Sequence, residues 1–220
     1  MPPHAMPPQS ASSSPGKRQR AAEARRRAIL DAALEVFAAD GFSAARLDDI
    51  ASRAKVAKGT LYLFSRDKQD LFEQVARDAV TPLLQGVTAL TTQPDLPFAA
   101  LLTGLYGMFE THVLTTSRRE LIRLVIAEGG RFPAISEFYH REIVSRGLPL
   151  IANAAARAHA RGEISSDMLV RFPQIVIAPL LTAGVWRCLF EPYQPLDAPG
   201  MLSAYRDMLL APANSEAKKP

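Results

Sequence analysis

From Ile29 to Val80 the apolar residues recur three and four positions apart and never alternate, and only short polar intervals interrupt them. Ile29, Leu30, Ala33, Leu34 and Phe37 form one stripe, and Leu47, Ile50, Ala51 and Ala54 a second. Lys58 to Phe64 forms a third, short segment, and Leu71, Phe72, Val75, Ala76 and Val80 a fourth stripe. A period of 3.6 residues can bury its apolar side only as packed helices. Helix one is expected over Ala22 to Ala39, with Asp40-Gly41 as its stop. Asp67 is expected to cap the fourth helix, with Asp70 three residues later as a shortened capping box, and that helix runs to about Thr91.

The pattern beyond Pro94-Asp95-Leu96-Pro97 stays helical over Phe98 to Leu114, Arg118 to Glu128, Pro133 to Gly162, Asp167 to Phe190 and Asp197 to Leu210. Pro and Gly separate these segments and no alternating strand pattern occurs, so the chain is expected to be all-α. Pro149 and Pro179 fall inside two of the segments, where each removes a backbone donor and is expected to kink or break the helix. No internal repeat is present.

Composition excludes several classes. With 220 residues, 48% hydrophobic and 22% charged, the chain can bury a core without a metal or disulfide. Cys188 stands alone, so no internal bridge forms, which suits a reducing compartment, the cytoplasm by default. Met1 to Gly16 is Pro- and Ser-rich with no apolar run, which reads as a disordered arm and not a secretory leader. The apolar, uncharged stretch of 15 residues between Arg171 and Arg187 is interrupted by Pro173, Gln174 and Pro179 and is too short to span a bilayer.

Net charge is +4, yet it is distributed unevenly: Lys17 to Arg66 holds 11 basic and 6 acidic residues, and the remainder 15 and 16. The positive excess is therefore confined to one block of fifty residues, as a nucleic-acid footprint would require, although a solvated basic face would give the same count. Within that block lie two short helices joined by about three residues, with small Ala51 where they must cross closely, the arrangement of a helix-turn-helix.

The residues of this block carry a closer likeness. The run Ala28 to Phe37 (AILDAALEVF), then Gly41-Phe42, Asp49-Ile50-Ala51, Lys58-Gly59-Thr60-Leu61-Tyr62, Lys68 and Leu71 resembles the N-terminal DNA-binding domain of the TetR family of bacterial transcriptional regulators, over about Arg25 to Phe72. The resemblance implies a disordered arm over 1–21, a helix-turn-helix domain over 22–66, a helical ligand-binding and dimerisation domain over 67–211 and a disordered tail over 212–220. It implies a regulator, most simply a repressor, that binds a palindromic double-stranded DNA operator as a homodimer and is released by a small-molecule effector, with no cofactor and no membrane association.

By that resemblance Lys58, Gly59, Thr60 and Tyr62 face DNA, and Lys68 meets a phosphate beside the start of helix four. Gly59 costs helix stability, a cost that makes sense where backbone must approach DNA closely. Arg46, Lys55, Ala57 and Phe64 complete the expected DNA-binding set. The chain departs from the family pattern at four places. Lys55 occupies a turn position where glycine is frequent, so it either adopts a left-handed conformation or shifts the turn. Ala57 replaces a capping Ser, Ala45-Arg46 replaces a Ser/Thr pair, and Ser65 stands where a core Phe is common. The basic run Lys17 to Arg27 reads equally as a minor-groove arm and as a solubilising tail.

The segment Asp167 to Phe190 is apolar nearly all round, more than one domain can bury, and a dimer interface is expected there and on the last helix. Its expected members are Phe172, Ile175, Val176, Leu180, Val185, Leu202, Tyr205 and Leu209. For the effector pocket that the resemblance implies, the candidate lining is Tyr106, Phe109, His112, Arg123, Phe132, Tyr139 and Trp186. A competing class is a helical, carboxylate-bridged metalloenzyme, because Glu137 and His140 form an E-x-x-H pair; a working site needs a second such pair, and the sequence has none. A membrane-surface role for the basic helix is opposed by the lack of a bulky apolar side opposite its arginines.

Overall fold

The computed structural model describes residues 15–211. Eleven α-helices follow one another among the described residues: α1 (Pro15–Ala44), α2 (Leu47–Arg53), α3 (Lys58–Phe64), α4 (Lys68–Thr91), α5 (Phe98–Phe109), α6 (Arg119–Glu128), α7 (Pro133–Tyr139), α8 (Ser145–Ala160), α9 (Met168–Arg171), α10 (Gln174–Leu189) and α11 (Ala198–Leu210). Single π-helical turns, Glu110–Leu114 and His140–Val144, follow α5 and join α7 to α8. The expected all-α architecture is what the structure contains.

Three boundaries differ from expectation, each for a local reason. First, α1 begins at Pro15, seven residues earlier than expected, because Ala and Arg dominate the stretch after Gly16 and both favour helix; residues 1–14 and 212–220 lie outside the described residues. At its other end the regular helix breaks at Asp40-Gly41 as expected, with Gly41 non-helical (φ 76°, ψ 164°), and one further helical turn then runs to Ala44. Second, the helix expected over Asp167 to Phe190 is two, because Phe172 (φ −129°, ψ 68°) is held out of the helical region by Pro173. Third, neither proline expected to kink or break its segment ends a helix: α8 runs through Pro149 to Ala160, and α10 runs through Pro179 to Leu189, although Pro149 cannot donate to the carbonyl of Ser145.

Two large cores, with a small third cluster of Leu114, Ala183 and Ala198, hold the helices together. The first packs Ile29, Ala33 and Phe37 of α1 with Ile50 and Ala51 of α2, Leu61 of α3 and Leu71, Phe72, Val75 and Ala76 of α4, and it takes in Leu121 and Leu124 of α6 and Phe138 of α7. Its centre is aromatic: Phe42 lies 5.7 Å from Phe37, 5.6 Å from Phe72 and 5.0 Å from Phe132 between ring centroids. The second core joins Val87 of α4 to α5, α8, α10 and Leu202 of α11. Helix α4 therefore belongs to both, and no gap in packing marks the expected boundary between residues 66 and 67.

The turn at Gly41 is tightly enclosed. Its φ and ψ fall in a region that only glycine occupies without strain, and a Cβ there would stand 2.7 Å from Glu128 Oε1. The Gly41→Ala variant is expected to lose about 1–3 kcal/mol of unfolding free energy in urea titration; an unchanged midpoint would show that the turn relaxes freely.

Candidate nucleic-acid interface and effector cavity

The geometry of the helix pair starts from the turn between α2 and α3. Lys55 adopts φ 55°, the left-handed conformation that its non-glycine identity made costly, and the turn closes with Val56 N donating to Ala51 O at 3.0 Å. Ala57 starts α3 without a side-chain cap. Leu61 is fully buried against α1 and α2, so the opposite side of α3 faces outward, presenting Lys58, Gly59, Tyr62 and Leu63, with Thr60 half-buried. Lys58 Nζ lies 2.8 Å from the Asp48 carboxylate, whose hydrogen bond and charge raise its pKa, and 6.0 Å from the Tyr62 ring. Arg46, at the N-cap of α2, is exposed and extended, with no side-chain cap.

Two members of the expected set are engaged elsewhere. Phe64 is half-buried and packs against the first core, so it is a packing residue and not part of the outward side of α3. Lys68 Nζ donates to the backbone carbonyls of Ser43 at 2.7 Å and Ala45 at 3.2 Å and sits 5.0 Å from the Phe42 ring. Its charge thus closes the end of α1. Ser65, where a core Phe was the family norm, is buried and polar: its single hydroxyl hydrogen is shared between Asp67 O at 2.9 Å and the Asp70 carboxylate at 3.1 Å. Asp67 caps α4 as expected, accepting from Asp70 N at 2.8 Å.

A cavity of about 200 Å³ opens among α4, α5, the α7–α8 junction and α10. Val80, Leu84 and Val87 form its α4 wall, with Leu105, Ile151 and Leu180 opposite; of all its lining side chains only Tyr139 carries a polar atom. Burial pushes the Tyr139 phenol upward in pKa, so it stays neutral. Two of the seven expected lining residues, Phe109 and Tyr139, are in the wall. The other five are not. Tyr106 is a core residue whose buried hydroxyl donates to Val176 O at 3.0 Å, and desolvation raises its pKa. His112 lies on the π-helical turn after α5, Arg123 binds Glu120 at 2.8 Å and the Ala38 carbonyl, Phe132 meets Phe42 edge to face, and Trp186 Nε1 donates to Gln194 O at 2.7 Å. Aromatic and charged residues stand out in a sequence, whereas the wall is mostly aliphatic and its signal is that of any helix core.

The surface expected to meet a second copy is also rearranged. Val176, Leu180 and Leu202 are buried within the chain's own second core and cannot reach a partner. Phe172 is exposed, and Ile175, Val185, Tyr205 and Leu209 are half-buried. Large apolar side chains left open nearby are Met168, Leu181, Leu189, Phe190 and Met208. Glu137 and His140 are both exposed, and among the described residues no three His, Cys, Asp or Glu side chains gather as a metal site. No helix among the described residues is long and apolar enough to cross a membrane.

Comparison with known proteins agrees with this geometry. Residues 29–75 match the family model for bacterial regulatory proteins of the tetR family. The HTH-type transcriptional regulator RutR of Escherichia coli is 31% identical over 143 residues, which are 65% of this chain but only 58% of RutR. Among solved structures, the fatty acid degradation regulator FadR of Bacillus halodurans superposes with a TM-score of 0.66 at 19% identity, covering 84% of this chain and 94% of that one. FadR of Bacillus subtilis in complex with stearoyl-CoA superposes at 0.59 with 18% identity, covering 86% and 99%. Residues 29–75 thus carry a DNA-binding domain similar to that of the TetR family.

The Asp70 carboxyl is held below its usual pKa, first by the Arg66 N–H at 3.0 Å and then by the Ser65 hydroxyl. A carboxyl lowered on folding stabilises the protein above its unfolded value near 3.8 and loses that contribution as pH falls through the lower folded value. The Asp70→Asn variant is therefore expected to be less stable at neutral pH and to show a shallower loss of stability on acidification; parallel acid limbs for both proteins would contradict the assignment.

Proposed function

We propose that the chain is a ligand-responsive, DNA-binding transcriptional regulator, most simply a repressor that binds a palindromic operator as a homodimer and is released by a small molecule. The observation that carries this reading is the outward side of α3, where Lys58, Gly59 and Tyr62 stand over the fully buried Leu61. Phosphate contacts need cations and hydroxyls on a rigid surface, and Gly59 removes the side chain that would hold the backbone away from DNA. Arg46 and Lys55 flank this surface as further exposed cations.

The cavity supports the second half of the reading. Its aliphatic wall and neutral phenol suit an uncharged, apolar ligand segment, and a buried carboxylate or phosphate would find no charged partner among the lining residues. The complex of FadR from Bacillus subtilis with stearoyl-CoA makes acyl thioesters the first effectors to test, with the acyl chain in the cavity. The open apolar residues of α9 to α11 support a two-fold dimer, which a palindromic site requires.

Tyr62→Ala and Lys58→Ala are each expected to weaken binding to duplexes from the protein's own promoter region by about 1–3 kcal/mol in gel-shift titration, with helix content unchanged. Wild-type affinity in both would remove α3 from the interface. The Leu189→Glu variant, at a side chain 50% exposed, is expected to sediment as a monomer; an intact dimer would place the interface elsewhere.

A further inference from the structure

Leu63 is the large apolar side chain left most exposed among the described residues, at 91%, and it lies on α3. At 100° per residue it points away from buried Leu61 and shares a stripe with Gly59, one turn earlier. Nothing stands within 4 Å of where a Cβ on Gly59 would be. The outward side of α3 is thus flat at Gly59 and raised at Leu63, with Lys58 and Tyr62 along the neighbouring stripe.

The composition of α3 (KGTLYLF) limits how it can read a sequence. Paired hydrogen bonds to base edges come from Arg, Lys, Asn or Gln, and Lys58 is the one such residue on α3. That cation pairs with Asp48 at 2.8 Å and is assigned above to the phosphate-contacting surface. What remains is apolar contact, and the apolar group that the major groove displays is the 5-methyl of thymine. A protein-docking patch would need contiguous apolar surface, whereas Leu63 sits in a segment whose exposed side chains include Lys55, Lys58 and Arg66.

We propose that Leu63 is a base-reading residue that packs against the methyl group of one thymine in each half of the operator, so that α3 selects its site by apolar contact more than by paired hydrogen bonds. This rests on the DNA-binding reading above, and the following experiment separates the two. The full-length protein selects duplexes from a random pool, and each thymine of the selected site is then replaced by deoxyuridine, which removes the methyl and leaves the hydrogen-bonding edges intact.

One thymine per half-site is expected to weaken wild-type binding about three- to fivefold when its methyl is removed, the value of one buried methyl group. The Leu63→Ala variant is expected to bind the thymine and deoxyuridine duplexes equally, while Leu63→Met, which restores an apolar contact, keeps a methyl preference. Absence of any sensitive thymine, or sensitivity retained in Leu63→Ala, overturns the assignment while leaving DNA binding in place. A pool that yields no bound duplex removes the DNA-binding reading itself, and the Leu63 assignment with it.

Discussion

Helix α1 ends in a turn that is gripped from two sides, and the placement of the helix pair depends on that grip. Glu128 at the end of α6 accepts the Phe42 N–H at 3.0 Å, while Lys68 at the start of α4 donates to the Ser43 and Ala45 carbonyls. A helix end leaves carbonyls without intrahelical partners, and here a lysine supplies both hydrogen bonds and a complementary charge. Between these two holds the Phe42 ring is surrounded by Phe37, Phe72 and Phe132. Gly41 makes the arrangement possible, because its φ of 76° and ψ of 164° strain any other residue and a Cβ there would press on Glu128 Oε1. The three elements that meet here are the first helix, the helix that leads out of the helix pair, and a helix of the C-terminal body.

Helix α4 extends this junction to the cavity. Its 24 residues span about 36 Å. Lys68 and Phe72 belong to the junction near one end, and Val80, Leu83, Leu84 and Val87 line the cavity farther along. In the proposed regulator, a ligand that displaces the α4 wall acts on the same rigid element that closes the end of α1. A second tie, Arg26 to Asp78 at 2.9 Å, fastens α1 to the middle of α4. The coupling proposed here needs only that α4 have two positions of different ligand affinity.

Much of the helix pair was legible in the chain itself, for reasons that are local. The missing cap at Ala57 and the Asp67 cap follow from spacing and from residue chemistry within a few positions, and the left-handed turn at Lys55 is one of the two outcomes that its identity allowed. Local patterns were insufficient where a polar group had two possible partners. Lys68 could meet a phosphate or a backbone carbonyl, and the carbonyls that hold it lie 23 and 25 residues earlier. Ser65 looked like a weakened core position, but it completes a cap network with Asp67 and Asp70. Leu63 carries no local signal of its role, because an apolar residue on a short helix has the pattern of a core residue and only the fold leaves it exposed.

The cavity and the partner surface show the same division more sharply. Apolar periodicity was enough to specify helices across the C-terminal half, since burying a 3.6-residue stripe is a property of the segment alone. Periodicity does not say which neighbour covers each stripe. Val176 and Leu202 face inward while Leu189 and Met208 remain open, and that choice depends on how α10 and α11 cross α5 and α6, which involves contacts far apart in the chain. Helix content and the chemistry of the turns were therefore written in short stretches of residues, whereas the void among α4, α5, α8 and α10 exists only because separately specified helices fail to fill the space between them.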